Sequence, residues 1–128
     1  MSHRNRGSIS AFVVCSLMGL TALTGLVFDG GRVVSKYADL SDLAENAARV
    51  GCQQIMGIRS GSPHIDSTNA SRQISQFLNA HGLHGQISVS DGASTVTLKE
   101  VVQMRLLVLI GIRNKTISVT RSAHVVSG

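Results

Sequence analysis

The sequence predicts an α+β chain. One long N-terminal helix is a membrane anchor in its first part and amphipathic in its second, followed by a short helix and a three-stranded antiparallel sheet packed on the long helix. Three observations lead there. Ile9 to Phe28 reads ISAFVVCSLMGLTALTGLVF, without charge or proline; at ~1.5 Å of rise per residue it spans roughly 30 Å, the thickness of a hydrocarbon core. Asp29 to Met56 continues without proline and keeps an apolar stripe at helical spacing. From Gly85 the apolar period changes to two, the mark of half-buried strands.

Residues 1–7, MSHRNRG, are polar and positive, and Arg4 and Arg6 ahead of the span predict a cytoplasmic N-terminus with the following domain external. A cleaved signal peptide competes with a retained anchor over residues 8–28. The apolar run is longer than an ordinary h-region, no A-x-A site follows, and the helical pattern continues past Phe28. All three favour the anchor. Within it Ala11, Cys15, Gly19, Ala22 and Gly25 fall on one face at spacings of four and three. Small residues so spaced let helix backbones approach closely in lipid, although membrane helices are rich in Gly and Ala in any case.

Residues 29–128 form the expected external α+β domain. Asp29-Gly30-Gly31-Arg32 marks the exit from the membrane: Asp29 and Arg32 are placed to pair, and two glycines, each costing about 1 kcal/mol relative to alanine, suggest a hinge. Above them the helix is expected over 29–57, with Val33, Tyr37, Leu40, Ala44, Ala47, Gly51 and Ile55 as a packing seam and Leu43 and Val50 widening it. The sequence GIRSGSP (57–63) stops the helix. A second helix is expected over 66–81, capped by Asp66 or Ser67, ended by Gly82, and apolar at Ala70, Ile74, Phe77 and Leu78.

Strands are expected at about 85–90, 94–102 and 115–126, the first two joined at the Asp91-Gly92 turn signal. Before the last strand, RLLVLIGI (105–112) is too short for a second span. It reads as a buried crossover, a short helix end, or an apolar loop resting on the membrane between Arg105 and Arg113; the buried crossover is the commoner answer.

Composition narrows the function classes. The net charge is +5, with Arg4 and Arg6 supplying two of its units, and aromatics are only 3% of the chain. A nucleic-acid binder needs a basic cluster with aromatics or a reading motif, and neither is present. Aliphatic residues and alanine must therefore make the core. Cys15 and Cys52 lie ~55 Å apart along one helix and cannot pair within a chain. His64, His81 and His84 have no cysteine or carboxylate beside them to complete a metal set. No nucleophile elbow, phosphate loop or catalytic constellation occurs, so no enzyme, cofactor or small-molecule substrate is expected.

The order of pieces in the first helix carries a resemblance. Arg6-Gly7-Ser8-Ile9-Ser10-Ala11-Phe12 enters an uncharged span; Gly25-Leu26-Val27-Phe28-Asp29-Gly30-Gly31-Arg32 closes it; Leu43-Ala44-Glu45-Asn46-Ala47-Ala48-Arg49-Val50-Gly51 follows. This resembles the TadE/TadG-like proteins of bacterial tight-adherence (Flp-type) pilus systems over about residues 6–52, and only in architecture beyond. TadG proper usually has a larger external domain. The resemblance implies a pilin-like fold and a membrane-anchored minor pilin or assembly factor, meeting other pilus subunits or platform proteins through its N-terminal helix. In pilin-like members a prepilin peptidase cuts after a glycine; the matching bond is Gly7–Ser8. Those members tend to carry glutamate five residues after the cut, where this chain has Phe12. The competing class is a membrane-tethered binding module that holds a secreted or envelope partner.

Overall fold

The computed structural model describes residues 3–126, with side chains from Gly7 onward. Met1 and Ser2 of the expected leader, and the side chains of Arg4 and Arg6, lie outside the described residues. Helix α1 runs from His3 to Cys52. A two-residue strand β1 (Ile55–Met56) pairs antiparallel with β2 (His64–Ile65), then helix α2 (Ser67–Ala80) leads to β3 (Gly85–Val89), β4 (Ala93–Gln103) and β5 (Asn114–His124). The last three form the expected antiparallel sheet, in the order β3-β4-β5. The chain divides into two compact units, Met1–Val34 with Val102–Lys115, and Ser35–Val101 with Thr116–Gly128.

In the second unit the core is aliphatic, as the scarcity of aromatics requires. Leu40, Ala44, Ala47 and Ala48 of α1 are buried, with Ile65, with Ala70, Ile74 and Leu78 of α2, and with Val96, Leu98, Ile117 and Val119 of the sheet. Alternation along β4 puts Ser94, Val96 and Leu98 inside. The other face is a hydroxyl ladder, Thr95 to Ser122 at 2.8 Å and Thr97 to Thr120 at 2.9 Å. Gly51 marks a close approach: a Cβ there would lie 2.6 Å from Ile74 Cδ1 and 3.1 Å from Ser94 Cβ.

The long helix ends earlier than 57. β1 draws Ile55 and Met56 into a ladder with Ile65 and His64, and Gly57 turns the chain at φ +78°. Ile55 therefore leaves the expected seam, and Tyr37 is exposed. Asp66 caps α2 by accepting from Asn69 N–H at 3.1 Å, and Gly82 follows the helix at φ +67°. The buried crossover is also corrected. Residues 107–110 form a single 3₁₀ turn in which Leu107 alone is buried, while Val108, Leu109 and Ile110 are exposed.

Candidate functional site

The first unit joins the lower part of α1 to the turn that links β4 and β5. A carboxylate at the end of an uncharged span must find donors or stay in water. Asp29 is inaccessible to solvent, and it is satisfied by backbone. Its oxygens accept from the N–H of Arg105 at 3.1 Å, of Leu106 at 2.8 Å and of Leu107 at 2.7 Å. These are the free N–H groups that open the 3₁₀ turn, so the side chain of one helix caps another helical segment distant in sequence. Burial pushes the carboxyl upward; the N–H groups of Leu107, Arg105 and Leu106 and the charge of Arg32 outweigh it, and Asp29 is held below its ordinary range.

Arg32 pairs with Asp29 as expected and completes the clasp through a second partner. It lies 4.0 Å from Asp29 Oδ1, and its nearer partner is the carbonyl of Gln103, to which Nη1 donates at 2.9 Å. Gly30 and Gly31 stay within uninterrupted helix, and a Cβ on either would meet nothing within 4 Å. One turn below Asp29, Gly25 receives the linking segment: a Cβ there would lie 3.3 Å from Leu107 Cδ2 and 3.4 Å from Leu106 Cβ. The C-terminal end of the expected small-residue face is thus occupied by the chain's own turn. Ala22 and Gly25 line an apolar cleft of about 600 Å³ with Leu106, Leu107, Leu109 and Ile110. Ala11, Cys15 and Gly19 are exposed, as are Gly7 and Ser8.

Below the clasp the apolar surface is uncovered. Phe12 is 73% exposed and Val27 75%, and this helix is long and apolar enough to cross a membrane. Of the seam residues Val33 is half-buried, whereas Leu40, Ala44, Ala47 and Gly51 are buried in the second unit. The clasp was hidden from sequence reasoning because its partners are 76 to 78 residues apart. The available sign was the aspartate itself, the first charge after twenty-two uncharged residues. Among the described residues, no group of three His, Cys, Asp or Glu side chains is placed to hold a metal.

Residues 7–54 match the TadE/G-like Flp pilus-assembly family. The match begins at Gly7, includes Asp29 and Arg32, and ends just past α1. No curated protein and no solved structure matches the chain.

Proposed function

We propose that this TadE/G-like chain is a minor pilin-like subunit or assembly factor of a tight-adherence pilus or related secretion apparatus, held in the bacterial membrane by a single pass of α1 over residues 8–28. The observation that carries the reading is the coincidence of the family match with α1. The matched segment is the one whose lower half exposes apolar side chains on every side. Such a surface costs ~25 cal/mol per Å² in water and is stable only in lipid or against other helices. With Arg4 and Arg6 on the cytoplasmic side, the second unit lies outside the cell. Partner subunits or platform proteins meet the exposed Ala11, Cys15 and Gly19 face.

Phe12 distinguishes this chain from pilin-like proteins that carry a glutamate at the matching position. That carboxylate would neutralise a neighbour's N-terminal amine within the bilayer, where an unpaired charge is costly. An aromatic side chain fits an assembly factor that stays in the membrane better than a subunit packed at a filament core.

Deleting the gene tests the reading: surface filaments should be lost or shortened, and normal piliation in the deletion strain would refute it. Intact mass of membrane-extracted protein then separates the two forms. A chain beginning at Ser8 is a processed pilin-like subunit, and one retaining MSHRNRG is a permanently anchored assembly factor.

A further inference from the structure

We infer that the turn between β4 and β5, residues 106–112, is a second membrane contact, inserted beside α1 into the leaflet on the C-terminal side of the span; this rests on the reading of α1 as an anchor. Four observations within the first unit carry it. First, the segment descends along α1. Gln103 is held by Arg32, Arg105–Leu107 by Asp29, and Leu106 and Leu107 stand over Gly25. From Arg32 to Gly25 is ~10 Å of helix axis, and Gly25 lies ~4.5 Å below Phe28, inside the uncharged run.

Second, the side chains at the tip face away from protein. Leu109 is 76% exposed and Ile110 61%, and Val108 and Ile112 are exposed too. A contiguous apolar patch of this kind is a liability in water. Here it continues the uncovered surface of α1 and shares a cleft with Leu17 and Thr21, so a bilayer that covers one covers both.

Third, the backbone is prepared for a medium without water. Irregular chain at membrane depth is tolerated when its polar groups are satisfied by protein. The N–H groups of Arg105, Leu106 and Leu107 go to Asp29, that of Leu109 to Leu106 O, that of Gly111 to Val108 O and that of Ile112 to Leu107 O. Gly111 closes the turn at φ +91°, a conformation that disfavours any other residue.

Fourth, the neck is cationic. Met104 N–H donates to Arg113 O at 2.9 Å, which brings the two arms together where Arg105 and Arg113 are both exposed. Guanidinium groups at that level reach phosphate headgroups while the residues between them enter the acyl region. The Asp29 clasp is then the device that lets an irregular segment lie in lipid.

The test uses the full chain carrying Cys15→Ser and Cys52→Ser. An environment-sensitive fluorophore is placed at Leu109→Cys, Phe12→Cys or Ser88→Cys, and each protein is reconstituted in phosphatidylethanolamine/phosphatidylglycerol vesicles with brominated acyl chains. The Leu109 and Phe12 probes should lose most of their emission to bromolipid and resist aqueous iodide, with the Ser88 probe doing the reverse. A Leu109 probe quenched by iodide and spared by bromolipid, beside a lipid-quenched Phe12 probe, would overturn the insertion and leave the anchor standing. If the Phe12 probe is also aqueous, the anchor reading and the insertion fall together.

Discussion

Asp29 is the residue on which the first unit turns, because three backbone donors converge on it where water does not reach. Its carboxyl is held low in the folded chain, so the unfolded chain takes up its proton first as the pH falls. Its contribution to stability is complete above the ordinary carboxylate range and disappears as acid titrates the folded group. Asp29→Asn should remove that part of the acid dependence in a pH series of urea titrations in detergent. It should also open the turn to trypsin at Arg105 and Arg113 at neutral pH. An unchanged pH dependence and digestion pattern would show that the clasp does not hold the turn. Gly51 is a residue of another kind, defined by the absence of a Cβ where Ile74 and Ser94 approach. Gly51→Ala should cost about 1–3 kcal/mol by overpacking, measured by denaturant unfolding, despite the higher helix propensity of alanine.

At the scale of elements, α1 was legible because its signal is long: an uncharged run followed by a stripe of Leu40, Ala44 and Ala47 at helical spacing. The sheet was legible because β4 alternates over its length. β1 and β2 were not, since two residues cannot display a period and their pairing depends on the turns at Gly57 and Gly61. The segment at 106–112 stayed open between a buried crossover, a short helix end and an apolar loop for a different reason. A run of Leu, Val and Ile is the same string whether it is buried in protein or exposed to lipid, and only its position beside Gly25 separates the two. The exposed part of the small-residue face is the surface proposed to meet another helix. At Gly19 a Cβ would have no neighbour within 4 Å, so Gly19→Leu adds its side chain at an open position. It should therefore leave unfolding unchanged and reduce co-purification with partner subunits. Undiminished co-purification would assign that face to lipid.

For the whole molecule, the functional reading comes from the same helix that the family match covers. What the structure adds is a dependence of early residues on late ones. Asp29 leaves the ribosome 76 residues ahead of Arg105, and the anchor that precedes it is ready for the bilayer long before β4 and β5 exist. The clasp can therefore close only once residues 105–107 have been made, after the whole of α1. A chain stopped after Val101 should still enter the membrane but be degraded in cells faster than the full chain, as a pulse-chase would show. Equal half-lives would refute this. The aspartate that ends the uncharged run is thus satisfied only in molecules whose chain has been made past Leu107 and has folded back to it.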